Sequence, residues 1–307
     1  MRAIVVNEWG GPENLVEREI ERPEPGLGEV LVRVHAAGVN PVDWKTRAGG
    51  ALITWGEIPI VGWDVSGTVE AVGPGVTLHA PGDEVYGMPL FPRQAGGYAQ
   101  YVAAPARHFA RKPASLDHVQ AAALPLAALT AWQALVDTAG VTAGQRVLVH
   151  AAAGGVGHLA VQIAKARGAY VIGTASAAKH DLLRELGADE VIDYRTTDFE
   201  DVVSDVDVVI DAVGGDHGRR SLKVLRPGGH LVTLPGPDGV PDGADGVHAV
   251  WLLVEPDLKG LEEIAALADR GRLKPLVETV LPLEQAAQAH ELGERGRTTG
   301  KIVLTVV

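Results

Sequence analysis

The chain has 307 residues, of which 46% are hydrophobic, with 27 basic and 39 acidic side chains for a net charge of −12. That length suits two domains with substantial cores, and the acidic balance argues against a nucleic-acid partner. The absence of cysteine excludes disulfides, iron–sulfur clusters and thiolate zinc sites.

The opening Met1 to Gly10 lacks the long apolar core of a signal peptide, so a cytoplasmic chain is expected. Short strands follow at Ala3 to Val6, Val30 to Ala37, Val65 to Val72, Glu84 to Gly87 and Tyr98 to Ala103. Turn residues such as Gly73-Pro74-Gly75 and Pro81-Gly82-Asp83 punctuate them, a texture that suits a small barrel. Ala121 to Val136 is the longest apolar stretch. Pro125 and Gln133 interrupt it, and it is too short to span a membrane.

From about residue 120 strands and helices alternate. Val147 to His150 reads as a buried strand, and Ala152-Ala153-Gly154-Gly155-Val156-Gly157 as a glycine-rich turn. A helix follows, with Val156, Ala160, Ile163 and Ala164 on one stripe and Gly168 at its end. Tyr170 to Thr174 and Glu190 to Asp193 are the next strands. In a dinucleotide fingerprint one glycine makes the tight turn, one admits the pyrophosphate, and one lets helix and strand pack closely. Alanine stands at the first position here, and Gly154 and Gly157 take the other two roles. The N–H groups around Ala153, Gly154, Gly155, Val156 and Gly157 would then face the phosphates.

An NAD site would carry an acid about 20 residues further on. This chain has none before Asp181, but has Ser176 and Lys179, which suit a 2′-phosphate, with Tyr194 within possible reach. NADPH is therefore the expected cofactor. Beyond it, Asp205 to Val213 is a strand, Asp216 to Leu225 a helix stopped by Pro227-Gly228-Gly229, and His230 to Leu234 a strand. His248 to Val254 completes a doubly wound sheet. Pro256 to Arg270 is helical, and Leu276 to Leu281 and Ile302 to Val307 are strands.

The blocks Gly38 to Lys45, Gly62 to Gly73, Pro81 to Val85, Leu124 to Trp132, the glycine turn and Gly300 to Leu304 together resemble the medium-chain dehydrogenase/reductase superfamily, in its zinc-free quinone oxidoreductase-like branch. The resemblance implies an α/β fold: a Rossmann domain at 120–257, inserted in a GroES-like barrel domain of 1–119 plus 258–307 that shapes the substrate site. Zinc members carry a cysteine in the first block and Gly-His-Glu in the second, where this chain has Asn40 and Gly62-Trp63-Asp64. No metal ligand set is expected, and no histidines lie at a His-x₃-His spacing. The Tyr-x₃-Lys pair of the short-chain dehydrogenases is also missing, since Leu90, Val102, Pro105, Thr174 and Asp198 stand four residues after the tyrosines.

Without a metal to polarise an alcohol oxygen, reduction of an electrophilic quinone or α,β-unsaturated carbonyl is the expected chemistry. Asn40 can donate an amide N–H to the developing oxyanion, and Lys45 falls where relatives place a tyrosine near substrate or cofactor. The resemblance also brings Thr130 to the nicotinamide and Val213, Gly214, Leu234 and Gly236 along the cofactor. Trp44, Trp55, Trp63, Phe91 and Trp251 are candidates to line an acceptor cleft, with core packing as the alternative for each. The family pattern also implies a homodimer, with the His248 to Val254 strand at a sheet edge. A tailoring enoyl reductase and a non-catalytic NADPH-binding sensor or partner protein stay open as alternatives.

Overall fold

The computed structural model describes residues 1–49, 58–241 and 246–306. The chain forms two compact units, one of Met1–Leu129, Glu255–Gly271 and Pro275–Val307, the other of Thr130–Val254 and Arg272–Lys274.

The first unit opens with β1 (Arg2–Val6) paired antiparallel to β2 (Leu15–Glu19). Then come β3 (Glu29–Val39), α1 (Pro41–Arg47), β4 (Asp64–Val72), β5 (Glu84–Gly87), β6 (Tyr101–Pro105), β7 (Phe109–Arg111), α2 (His118–Ala122) and α3 (Pro125–Trp132). The chain passes into the second unit within α3. Among the described residues, the main sheet has the order β14 (Val277–Pro282), β15 (Lys301–Thr305), β3, β4, β5, β7, with β6 also on β3. Its last two members in the chain, β14 and β15, come after the helix α7 (Leu258–Asp269), and α8 (Ala286–Glu294) lies between them in sequence. Strand β3 is the hub: β15 pairs with its Ala36-to-Val39 end, while β4 runs along it from Val30 to Gly38. The core beneath includes Val30, Val32, Val34, Val65, Val85, Phe109 and Leu304.

The second unit contains β8 (Arg146–Val149), α4 (Gly157–Ala166), β9 (Tyr170–Ala175), α5 (His180–Glu185), β10 (Glu190–Asp193), β11 (Val206–Asp211), α6 (His217–Ser221), β12 (Leu225–Thr233) and β13 (His248–Trp251). The described strands pair in parallel in the order β10-β9-β8-β11-β12-β13. This is the doubly wound arrangement, with the chain reversing direction across the sheet at β8. All six residues of β11 are buried, as a strand covered on both faces requires.

Several local expectations are corrected. Helix α6 spans only His217–Ser221, and Pro227-Gly228-Gly229 lies inside β12 and not in a turn after a helix. The pairing jumps from Val206↔Leu225 to Val208↔His230, so these residues form an irregular bulge, which tolerates proline and glycine where a regular ladder would not. Strand β6 starts at Tyr101, later than expected, and β13 ends at Trp251. Strand β2 and helices α1 and α8 were not read from the sequence, because short polar-rich elements leave little periodic signal.

Candidate active site

In the second unit the turn after β8 is held by backbone. The Ala152 N–H donates to the Thr174 carbonyl at 3.0 Å, and the Gly154 N–H to the Ala151 carbonyl at 2.8 Å. The tight left-handed position is Ala151, at φ 51°, one residue before the alanine that the sequence pattern suggested. Helix α4 begins at Gly157, which is buried. A Cβ there would stand 2.3 Å from the Ala151 carbonyl oxygen and 2.8 Å from Ala152 Cα, both backbone atoms. The His158 and Leu159 N–H groups donate to the Gly154 and Val156 carbonyls, both at 3.1 Å, so the donors this end could offer an anion are the earlier N–H groups of the turn. Gly154, Gly155 and Val156 are half-buried beside it, and Ala153 is buried.

Parallel pairing puts the other candidates at the same edge of the sheet. Ser176 and Lys179 follow β9, Tyr194 follows β10, Val213 and Gly214 follow β11, and Leu234 and Gly236 follow β12. Tyr194 is 58% exposed, and Ser176 and Lys179 are half-buried. Asp211, at the end of β11, was not singled out from the sequence. It is fully buried, and one oxygen accepts the N–H groups of Val213 and Gly214 at 2.9 and 3.0 Å. It shapes the turn that carries those two residues. The Asp193 carboxylate is occupied in the same manner, by the N–H groups of Ala177 and Arg195. Thr130 is buried in α3 and is not carried by these strand ends.

Behind this edge, His150 is buried between the Thr174 and Ser221 hydroxyls, at 3.3 and 3.1 Å. Burial lowers its pKa to about 3, with His217 and Arg220 adding to the effect. The unfolded chain, with histidine near its ordinary 6.5, therefore takes up the proton first on acidification. This contribution to stability is present above pH 6.5 and is lost as pH falls towards 3. Between pH 6.5 and 5 the second unit should lose up to about 2 kcal/mol, at roughly 1.4 kcal/mol per pH unit. Hydrogen exchange of β8 and β11 at the two pH values measures this, and His150→Asn should flatten the dependence. An equal pH dependence in the variant would rule out His150 as its source.

In the first unit, Asn40 is the residue before α1 and is 1% exposed. The Asp43 carboxylate takes the Asn40 backbone N–H at 2.8 Å, and the Asp43 N–H returns to the Asn40 carbonyl at 2.9 Å. The Asn40 side chain takes part in a capping box with Asp43 and has two further partners. Its Nδ2 donates to Asp64 Oδ2 at 2.8 Å, and its Oδ1 accepts from Lys301 Nζ. Asp64 also takes the Leu126 N–H at 2.7 Å and lies 3.5 Å from the Lys301 ammonium. Tyr98 donates to Asp43 at 2.8 Å and contacts His290 Nε2 at 3.2 Å. Burial pushes Asp43 up to about 7 against its two hydrogen bonds, raises Asp64, and lowers Lys301 against the pull of Asp64 and Asp43. Burial takes His290 down to about 3, with Arg47 adding to it.

Lys45 lies on the exposed face of α1, so the structure does not bring it together with buried Asn40. Trp63 is core: fully buried, it donates to the Arg93 carbonyl at 2.8 Å and meets Phe91 edge-on. Trp44 packs edge-on against His290, and Trp251 is half-buried. Trp55 lies outside the described residues. The sequence reading missed roles for Asp43, Asp64, Tyr98, His290 and Lys301. The available signal was charge inside apolar strand and helix blocks, at Asp43 in Asn-Pro-Val-Asp and Lys301 in Gly-Lys-Ile-Val-Leu. Among the described residues no group of three or more His, Asp or Glu is placed to hold a metal, and no helix is long and apolar enough to cross a membrane.

A family model described as the alcohol dehydrogenase GroES-like domain matches residues 26–114, and one described as zinc-binding dehydrogenase matches residues 186–304. The NADPH-dependent alkenal/one oxidoreductase, chloroplastic, of Arabidopsis thaliana is 38% identical, over 99% of this chain and 79% of its own length. Human quinone oxidoreductase is 34% identical, over 99% of this chain and 97% of its own. The solved quinone oxidoreductase from Coxiella burnetii superposes with TM-score 0.90 at 37% identity, covering 100% of this chain and 99% of that one. A GroES-like sheet and a doubly wound dinucleotide sheet in one chain define a nicotinamide-dependent oxidoreductase. The chain belongs to the medium-chain dehydrogenase/reductase superfamily, in the quinone oxidoreductase-like branch.

Proposed function

We propose that this protein reduces quinones or α,β-unsaturated carbonyls with NADPH and without a metal. The observation that carries the reading is the donor set at Asn40. Where zinc relatives place ligands, an amide has its carbonyl on an ammonium and its nitrogen on a carboxylate that also lies beside that ammonium. A lysine cation in contact with both groups is incompatible with a dication in the same place. These residues do not fit a metal ion.

Ala153 to Gly157 would hold the pyrophosphate and Ser176, Lys179 and Tyr194 the 2′-phosphate, with Val213, Gly214, Leu234 and Gly236 lining the cofactor and Thr130 near the nicotinamide. The bound cofactor supplies a hydride. An acceptor that took up this hydride would carry the resulting negative charge on its oxygen. Asn40 Nδ2 donates to that oxygen, and a proton from water completes the neutral product. Lys45, exposed at the surface, is proposed to reach a cofactor phosphate. Residues 1–119 and 258–307 form the substrate domain in this reading, and 120–257 the NADPH domain. The protein is proposed to be cytoplasmic and homodimeric through the edge strand β13, whose His248 and Val250 are exposed.

Purified protein should oxidise NADPH with a simple quinone or alkenal and be unaffected by chelators. Failure across a panel of quinones, alkenals and enoyl thioesters would overturn the acceptor class, and turnover with enoyl thioesters alone would select the tailoring reductase. Lys179→Glu should lower the NADPH-over-NADH preference about 10–100-fold, by removing a cation and adding a like charge beside the phosphate. An unchanged ratio would place the 2′-phosphate elsewhere.

A further inference from the structure

Asn40 can face only one way in this structure. An ammonium can only donate, and an ionised carboxylate can only accept. Lys301 therefore fixes which amide atom is Oδ1, and Asp64 fixes which is Nδ2. A flipped amide would set two donors against each other at Lys301 and two acceptors at Asp64. The remaining Nδ2 hydrogen then has one direction.

The sheet register builds this lock. Strands β15 and β4 flank the end of β3, with Ile302 opposite Val39 and Asp64 opposite Gly38. Lys301, one residue before Ile302, and Asp64 thus arrive from the two strands on either side of the Gly38-to-Asn40 stretch. Gly38 admits Asp64, because a Cβ there would meet Asp64 Cβ at 2.9 Å and the Ala122 carbonyl oxygen at 2.3 Å. Burying both charges, at 3% and 0% side-chain exposure, is costly for an ordinary core.

We propose that Lys301 and Asp64 are positioning residues for the reduction. They lock Asn40 with its second amide hydrogen facing the developing oxyanion, and Lys301 polarises that hydrogen through the amide carbonyl. The proposal rests on the reading that Asn40 meets the acceptor. An amide that accepts from a cation is a stronger donor, because linked hydrogen bonds polarise one another. Lys301 keeps its proton throughout and never touches substrate. The charged and titratable groups facing it are Asp64 from β4 and Asp43 from α1, with Tyr98 and, from α8, His290 behind Asp43.

The test is a double-mutant cycle between Asn40→Ala and Lys301→Gln, with Lys301→Arg as the conservative variant. Lys301→Gln should lower kcat about 10–100-fold, in the range of a lost oxyanion donor, while NADPH affinity stays within about twofold. In the Asn40→Ala background the same change should cost nearly nothing, since the two residues act as one unit. Lys301→Arg should retain most activity and move the alkaline limb of the kcat profile to higher pH, because guanidinium holds its proton. Additive losses, or an alkaline limb that Arg leaves in place, would overturn the proposal. Unchanged turnover in Asn40→Ala alone would instead remove the reading of Asn40 on which it stands. If Lys301→Gln fails to fold, the Lys301→Arg profile decides.

Discussion

Gly157→Val should abolish nicotinamide-nucleotide binding, weakening it by about 100-fold or more while the first unit stays folded. The loss follows from where the new atoms go. A Cβ at 157 lies 2.3 Å from the Ala151 carbonyl oxygen, so the start of α4 must move away from the turn. The donors at that helix end would then lose their aim at the phosphates they are proposed to hold, and even a short displacement would undo several charge-assisted hydrogen bonds together. Ala151 is already left-handed at φ 51°, so the turn has little freedom to yield. Fluorescence titration with NADPH measures the loss, and hydrogen exchange in β3 and β4 reports whether the first unit is intact. Binding within threefold of the parent protein would mean that the phosphates do not sit on this turn.

Asp64→Leu should destabilise the first unit by about 3–5 kcal/mol, the cost of stranding one member of a buried ion pair. Leucine leaves Lys301 hydrogen-bonded to Asn40 but without its carboxylate, and takes the acceptor from the Leu126 N–H and Asn40 Nδ2. Asp64→Asn should fall between, since its carbonyl can still serve Leu126 while its NH₂ opposes Asn40 Nδ2. Urea unfolding followed by exchange in β3 separates the two units, which a single whole-chain transition does not. A change below 1 kcal/mol for Asp64→Leu would show that Asp64 and Lys301 are not a charged pair in the folded chain.

The nucleotide-binding sheet was legible because each of its features is local. A buried strand, a glycine turn and an apolar helical stripe fall within Val147 to Gly168, and helix and strand emerge there as read. The tight-turn residue was misplaced by one, since alanine at 151 gives no sign of a left-handed backbone that glycine would have announced. Pro227-Gly228-Gly229 misled for a related reason: residues that normally stop an element here sit in a bulge that keeps the strand going. The polar cluster was harder still. Asn40, Asp64 and Lys301 meet through the register of three strands, and no pattern along the chain encodes that meeting. The family resemblance supplied a role for Asn40, and included Asp64 and Lys301 in its blocks without giving either a role.

The bond between Lys301 and Asn40 spans 261 residues of sequence. Everything in the second unit is synthesised between them, most of it as the continuous stretch Thr130–Val254. During synthesis the second unit can therefore complete its sheet while the first still lacks β15. Domains form as units in the order their residues arrive, and a contact between distant residues must wait for the later one. A growing chain would thus acquire nucleotide affinity before its amide is held in place. Assembly itself would order the two proposed competences, with binding first and oriented hydrogen-bond donation last.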